Sequence, residues 1–218
     1  MKKRVLLFDL DGTLTDSAEG IFHSVIYALE QFGIAVEDES ALRAFVGPPL
    51  LDSFQKYYGF DREQAQKAVE HYRVYFAERG LLENQVYDGV REVLRELNRR
   101  GFVLMVATSK PEVFAKRILE HFDLAGEFAF IGAATLDESR SRKDAVIRYV
   151  LEENQLTDLS QVVMVGDRDQ DILGAKKNGL ESIGVLYGYG SLEELTQAGA
   201  DALAETPQAL LDIVEAWE

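Results

Sequence analysis

The sequence lacks cysteine, has only 4 prolines and contains no long apolar run. Without cysteine there can be no disulfide, thiolate metal site or cysteine nucleophile, which is typical of proteins from a reducing cytoplasm. No apolar stretch approaches the roughly 20 residues that cross a bilayer. We therefore expect a cytoplasmic protein with no membrane contact, and both a monomer and a homodimer remain open.

Positive charge is also scarce, with 23 Lys and Arg against 38 Asp and Glu and a formal net charge of -15. The acidic residues are spread along the chain, so they would repel nucleic acid polymers and anionic membrane surfaces. A small phosphorylated metabolite remains a candidate partner. It would need a metal ion and a few cationic groups to make its pocket locally positive.

Short apolar runs alternate with helical patterns along most of the 218 residues. This alternation predicts an α/β fold built on a doubly wound parallel sheet, in which ligands collect beyond the carboxyl ends of the strands. The predicted strands are Arg4 to Phe8, Phe102 to Ala107, Phe128 to Ile131, Val162 to Val165 and Ser182 to Leu186.

Residues 17–85 interrupt the alternation, because they show helical periodicity and no convincing buried strand. Glycines divide this stretch into about four predicted helices. We therefore expect a helical subdomain at 17–85, inserted into a core formed by residues 1–16 and 86–218.

Two aspartates, Asp9 and Asp11, follow the first predicted strand. Carboxylates two residues apart at a strand end project roughly the same way, and ionising both in a confined place is costly without a cation. Magnesium suits such oxygen ligands and leaves coordination positions for substrate oxygens. A solvated acidic turn is the alternative, but the apolar strand before it makes that reading weaker.

A second acidic segment, Gly166 to Asp171, follows the strand at Val162 to Val165 and carries Asp167 and Asp171. Such a segment alone is a common acidic turn. Its place at another strand end indicates that Asp167 completes the predicted metal site. Asp171 either binds the metal, directly or through water, or orients a nearby lysine.

Two further positions are weaker when taken singly. Thr108 ends the strand that begins at Phe102, and it could equally cap the next helix; Ser109 and Pro111 also predict a helix start there. Lys143 begins a helical pattern, and an isolated lysine there would ordinarily be a solvated surface residue. Arg140 and Arg142 are near enough to be alternatives to Lys143.

In this order the four segments resemble the haloacid dehalogenase superfamily, whose signature Asp-x-Asp-x-Thr is filled by Asp9, Asp11 and Thr13. The resemblance implies a Rossmann-like core with a helical cap, Asp9 as nucleophile and Asp11 as acid and base. It implies Mg²⁺ bound by the Asp9 side chain, the Asp11 backbone carbonyl and Asp167. It also implies a phosphoryl group contacted by Thr108, Ser109 and Lys143.

The chain looks most like the branch of 5′-nucleotidases, close to the phosphoglycolate phosphatases. The resemblance therefore implies a phosphatase acting on a small monoester, possible substrates being nucleoside 5′-monophosphates and phosphoglycolate. A phosphotransferase similar to β-phosphoglucomutase is another candidate. A dehalogenase and a non-catalytic binding module fit less well, because Asp9, Asp11, Lys143 and Asp167 are all present.

Overall fold

A computed structural model describes residues 4–137 and 139–217 of the protein. The chain divides into two compact units. The first unit contains the residues up to Thr15 and those from Val86 onward, and the second unit is Asp16–Gln85. The second unit therefore begins one residue earlier than the predicted insert.

The strands of the described residues include six that form one parallel sheet in the order β5-β4-β1-β6-β7-β8. Because β1 is central and the chain adds strands on either side of it, the predicted doubly wound sheet is confirmed. The strands are β1 (Val5–Phe8), β2 (Thr15–Asp16), β3 (Gln85–Val86), β4 (Val103–Pro111), β5 (Phe130–Ala134), β6 (Val162–Gly166), β7 (Glu181–Val185) and β8 (Ala202–Ala204).

Within residues 4–137 and 139–217, no helix is long and apolar enough to cross a membrane. The α-helices are α1 (Ala18–Glu30), α2 (Leu50–Tyr58), α3 (Arg62–Tyr75), α4 (Val90–Arg99), α5 (Glu112–His121), α6 (Lys143–Glu153), α7 (Asp169–Lys177), α8 (Leu192–Ala198) and α9 (Ala209–Ala216). Short 3-10 segments cover Glu39–Phe45, Ala125–Glu127 and Leu159–Gln161, and a π-helical turn covers Phe76–Gly80.

The central strands β1 and β6 are buried along their whole length. Their continuous apolar sequences suit a strand covered on both faces, as parallel strands are in α/β proteins. Val146, Ile147 and Val150 of α6 pack with the sheet residues Leu7 and Met164 in one apolar cluster. This core fixes the ends of β1 and β6, after which the acidic segments follow.

Strand β4 differs from the prediction at its carboxyl end. It continues through Ser109 and Lys110 to Pro111, and α5 begins only at Glu112, so the interpretation of Ser109 as a helix cap is wrong. A residue that precedes proline is confined to extended conformations, which keeps Lys110 in the strand. The pairing with β5 shifts between Thr108 and Pro111, where the strand is irregular. Strand β8 was also not predicted.

The second unit is largely helical, with α1, α2, α3, the 3-10 segment and the π-helical turn. Its apolar side chains form their own interior, in which Phe45 contacts Phe54 edge-on and Phe54 stacks on Phe60. Helix α3 begins with a capping box in which Asp61 and Gln64 exchange hydrogen bonds. These contacts explain why the insert can form a helical unit of its own.

Leu104→Ala should destabilise the core unit, because Leu104 is fully buried and lies beside Leu6 of β1. We expect the free energy of unfolding to fall by about 2 to 5 kcal/mol in urea denaturation. Val103→Ala in the same strand is the control, since Val103 is 39% exposed, and its cost should stay below about 1 kcal/mol. Equal losses for the two variants would contradict the assigned burial.

Candidate active site

The carboxyl ends of β1, β4 and β6 meet at one edge of the sheet, because β1 lies between the other two strands. Asp9 directly follows β1, Thr108 lies near the end of β4, and Asp167 directly follows β6. Lys143 is the first residue of α6. The fold therefore gathers all four sequence segments in the first unit.

Lys143 is the centre of the ion pairs and polar contacts at this edge. Its Nζ lies 2.7 Å from Asp9 Oδ1, 2.9 Å from Asp171 Oδ1 and 3.1 Å from the carbonyl oxygen of Ala107. The side chains of Lys143, Asp9 and Asp171 are all buried. Three acceptors around one ammonium group hold it in a fixed position between two carboxylates.

The two arginines near Lys143 contact other residues and not Asp9. The Arg140 guanidinium lies 3.5 Å from the centroid of the Tyr149 ring. Arg142 is exposed, and its Nε lies 3.3 Å from Asp144 Oδ1. Of the three candidates, Lys143 is the one that the structure places against Asp9.

Asp9, Asp167 and Asp171 form a cluster of buried carboxylates. Each offers an oxygen, and these oxygens lie within 4.8 Å of one another. Asp171 has two other contacts, since Oδ1 meets Lys143 and Oδ2 accepts a bond of 3.1 Å from the Arg168 backbone N–H. Asp171 is therefore engaged in orienting Lys143 and the start of α7.

Burial shifts the pKa values of this cluster. It raises the pKa of Asp9 to about 6 even though the Lys143 ammonium opposes the shift. It also raises the pKa of Asp167 well above its usual range, with further contributions from the charges of Asp171 and Asp9. Burial disfavours the charged form of Lys143, but Asp171 and Asp9 outweigh this and raise its pKa. The cluster therefore carries more negative charge than its own lysine neutralises.

Asp167 is held by the backbone and by the first signature segment. Its Oδ2 accepts a hydrogen bond of 2.9 Å from the Tyr189 backbone N–H, and its Oδ1 accepts one of 3.3 Å from the Thr13 hydroxyl. A Cβ at Gly12 would lie 2.2 Å from Asp167 Oδ2, and one at Gly188 would lie 2.4 Å from Asp167 Cβ. Glycine at these two positions lets both loops approach the carboxylate.

Thr108 and Ser109 both lie close to the end of β4 with their hydroxyl groups buried. Thr108 Oγ1 accepts a hydrogen bond of 3.2 Å from the Lys110 backbone N–H and keeps its own hydrogen to donate. In the part of the chain that the structure describes, Ser109 Oγ has no hydrogen-bond partner. Buried polar atoms normally have one, so this hydroxyl is suited to a ligand.

The Asp11 side chain contacts Lys110, a residue outside the sequence motifs described above. Lys110 Nζ lies 2.6 Å from Asp11 Oδ2, and the two side chains are 6% and 12% exposed. The Asp11 side chain is not part of the carboxylate cluster formed by Asp9, Asp167 and Asp171. The sequence signal for Lys110 was a lysine two residues beyond Thr108, which the predicted helix cap obscured.

A sequence profile of the haloacid dehalogenase-like hydrolases matches residues 6–185. This range includes both acidic segments, Thr108 and Lys143. The chain belongs to this family. Together with the relatives described below, membership identifies it as a phosphoric monoester hydrolase, so the predicted enzyme class and the predicted resemblance are confirmed.

The relatives include a 5′-nucleotidase of Pseudomonas aeruginosa, 49% identical over 190 residues that cover 87% of this chain and 86% of that protein. The tyrosine-protein kinase PtkA of Mycobacterium tuberculosis is 40% identical over 86% of this chain, but the match spans 63% of PtkA. A phosphoglycolate phosphatase of Vibrio parahaemolyticus is 28% identical over 97% of this chain and 96% of its own length.

Among solved structures, a predicted phosphatase from Clostridium acetobutylicum has the same fold with a TM-score of 0.96. The two sequences are 51% identical, and the match covers 99% of this chain and 100% of the other. This similarity supports both the α/β architecture and the phosphatase class.

Asp167→Asn should stabilise the metal-free protein at pH 7.5, because it removes a buried charge next to Asp171 and Asp9. An asparagine oxygen can still accept the bond from Tyr189. We expect a gain of at least about 1 kcal/mol, or a rise in melting temperature of about 2 to 4 °C in EDTA. Asp169→Asn in the same segment should give no comparable gain.

The pH dependence has a definite sign. The pKa of Asp167 is raised in the folded protein, so its contribution to stability is greatest below the unfolded pKa of about 4 and is lost as the pH rises through the folded value. The difference between variant and wild type should therefore shrink towards pH 4. A difference that stayed constant with pH would contradict the buried-charge explanation.

Proposed function

We propose that the protein is a magnesium-dependent phosphatase that hydrolyses nucleoside 5′-monophosphates in the cytoplasm through an aspartyl-phosphate on Asp9. The observation that carries the chemistry is the position of Asp9, whose Oδ1 is fixed by Lys143 Nζ at 2.7 Å and by the Leu10 backbone N–H at 2.7 Å. Within the described residues, Asp9 Oδ2 forms no hydrogen bond. One oxygen is thus oriented and the other is available for attack.

The residues of the cluster fit a hard divalent cation. Asp9 and Asp167 supply buried carboxylate oxygens, and the Asp11 backbone carbonyl is a further candidate ligand. Burial, together with the charges of neighbouring carboxylates, raises the pKa of Asp9 and of Asp167, and a bound cation would offset both effects. When bound, Mg²⁺ would neutralise and orient the oxygens of the phosphoryl group. We assign Asp171 to the orientation of Lys143, because Lys143 Nζ lies 2.9 Å from its Oδ1.

In the first half of the reaction, Asp9 Oδ2 attacks phosphorus and forms the aspartyl-phosphate bond while the bond from phosphorus to the ester oxygen breaks. Asp11 gives a proton to the departing oxygen, so that an alcohol leaves rather than an alkoxide. Lys143, Thr108 and Ser109 donate hydrogen bonds to the phosphoryl oxygens, on which negative charge spreads during transfer.

In the second half, Asp11 accepts a proton from water as the water oxygen attacks phosphorus. The bond between phosphorus and Asp9 Oδ2 breaks, inorganic phosphate leaves, and both carboxyl groups return to their starting states. Asp9 serves as the nucleophile because Lys143 and a bound metal would keep it ionised. Asp11 serves as the acid and base because its side chain lies outside the carboxylate cluster.

Asp9→Asn should reduce phosphate release by more than about 10³-fold, because it removes the attacking carboxylate while keeping the side-chain size. The wild type should release phosphate with Mg²⁺ and lose that activity in EDTA, and acid-quenched wild type should carry one phosphoryl group on Asp9. Asp169→Asn is the control and should remain active. If Asp9→Asn kept its turnover with unchanged metal dependence, Asp9 would not be the nucleophile.

Two observations support a nucleotide as the substrate. The P. aeruginosa relative at 49% identity is a 5′-nucleotidase, and the second unit contains a cavity of about 370 Å³, large enough for a planar base. Phe22, His23 and Asn84 line this cavity. Both amide atoms of Asn84 are buried and lack a hydrogen-bond partner among the described residues, and an amide that can both donate and accept suits the edge of a base.

The charge of the cavity favours a base over a second anionic group. Asp16, Glu19 and Glu39 also line it, so the carboxylate of phosphoglycolate or the second phosphate of a sugar bisphosphate would meet like charges. The amino groups of a base can instead donate hydrogen bonds to these carboxylates. This argument ranks a nucleotidase above a phosphoglycolate phosphatase and above a mutase similar to β-phosphoglucomutase.

Phe22→Ala should raise the KM for nucleoside 5′-monophosphates by about 5- to 150-fold, since stacking of a base on an aromatic ring contributes about 1 to 3 kcal/mol. Turnover of p-nitrophenyl phosphate, which has no base, should change much less. Leu82→Ala is the control, because Leu82 is 52% exposed in the same unit and does not line the cavity. If the wild type released phosphate from phosphoglycolate in preference to nucleoside 5′-monophosphates, the proposed nucleotide substrate would be wrong.

A further inference from the structure

Lys110 lies at the same sheet edge as the reacting groups but has no part in the chemistry proposed above. It is 8% exposed, and lysine is almost never buried to this extent without a charged partner. Its Nζ lies 2.6 Å from Asp11 Oδ2, a length typical of a strong charge-assisted hydrogen bond. The extended backbone between Thr108 and Pro111 directs this ammonium group to Asp11.

The two oxygens of Asp11 have different environments. Oδ2 meets Lys110, whereas Oδ1 is buried and, among the residues that the structure describes, has no hydrogen-bond partner. A buried carboxylate oxygen without a partner costs about 1 to 3 kcal/mol or more. A buried polar atom of this kind calls for an explanation, such as a catalytic role or a bound water or ion.

We infer that Lys110 is a positioning residue, which holds Asp11 through Oδ2 so that Oδ1 exchanges the proton with the leaving oxygen and later with water. This inference rests on the proposed function and deepens it by assigning a separate role to each oxygen. Protonation of Oδ2 would weaken its hydrogen bond to the ammonium group, because a hydroxyl oxygen accepts less strongly than a carboxylate oxygen. The contact therefore directs the transferred proton to Oδ1 and limits rotation of the carboxyl group.

The charges at the site agree with this role. Among the described residues, Lys143 contacts Asp9 and Asp171, and Lys110 contacts Asp11. Each of the two working aspartates thus has its own lysine, since Asp9 contacts Lys143 and Asp11 contacts Lys110.

The test compares two leaving groups. p-Nitrophenolate is a stable anion that leaves without a proton, whereas the alkoxide of an alkyl phosphate must be protonated. Loss of well-positioned proton transfer costs about 10²- to 10⁴-fold. Lys110→Met should therefore lower kcat for an alkyl phosphate by about 10²-fold or more and for p-nitrophenyl phosphate by less than about tenfold, with smaller changes in KM.

Asp11→Asn is the reference variant, because it should show the same larger loss of kcat for the alkyl phosphate than for p-nitrophenyl phosphate. Lys110→Arg should keep part of the alkyl phosphate activity because it keeps a cationic donor. Lys116→Met is the matched control, since Lys116 is exposed and paired with Glu112 in α5. Thermal melts show which variants are folded. If Lys110→Met does not fold, Lys110→Gln takes its place and should show the same selective loss.

The outcomes separate the two proposals. A wild type that releases phosphate from neither substrate contradicts the proposed function itself. The role of Lys110 alone is overturned by a different result. In that result the wild type is active and Asp11→Asn loses mainly the alkyl phosphate activity, but folded Lys110 variants lose both activities equally or lose neither. A purely structural lysine would lower both activities by the same factor.

Discussion

The constraint on which the first unit depends is the confinement of several carboxylates at one buried edge of a parallel sheet. Asp9, Asp167 and Asp171 have oxygens within 4.8 Å of one another, and their mutual repulsion opposes folding. Lys143 offsets part of it by contacting two of the three. In the proposed function, the remaining negative charge gives this edge its affinity for a divalent cation, so the repulsion that destabilises the metal-free fold would also serve catalysis.

The fold supplies the rigidity that this arrangement requires. Strands β1 and β6 are fully buried and paired over four successive residues, from Val5 with Val162 to Phe8 with Val165. Asp9 and Asp167 therefore leave adjacent strands at nearly the same height. Loops at Gly12 and Gly188 then approach Asp167 too closely for any other residue type. Apolar packing within the sheet thus fixes the distance between polar groups at its edge.

Much of this was predictable from the sequence, because the central strands are continuous apolar runs and the acidic segments directly follow them. The end of β4 was not predictable, since Ser109 and Pro111 also match a helix start. Only the pairing with β5 shows that the strand continues there. Lys110 was missed for the same reason. The hydrogen bonds that Thr13 and Tyr189 donate to Asp167 join distant parts of the chain. No local sequence pattern predicts such contacts.

Chemistry and selectivity follow from different units of the protein. The groups assigned to phosphoryl transfer all belong to the first unit and act on the phosphoryl group, which every monoester shares. They cannot by themselves distinguish a nucleotide from phosphoglycolate. The cavity of the second unit differs in kind, because it combines Phe22 and the Asn84 amide with the carboxylates of Asp16, Glu19 and Glu39. In the proposed function, the negative charge of this cavity disfavours anionic leaving groups, and selectivity would therefore reside in residues that take no part in bond breaking.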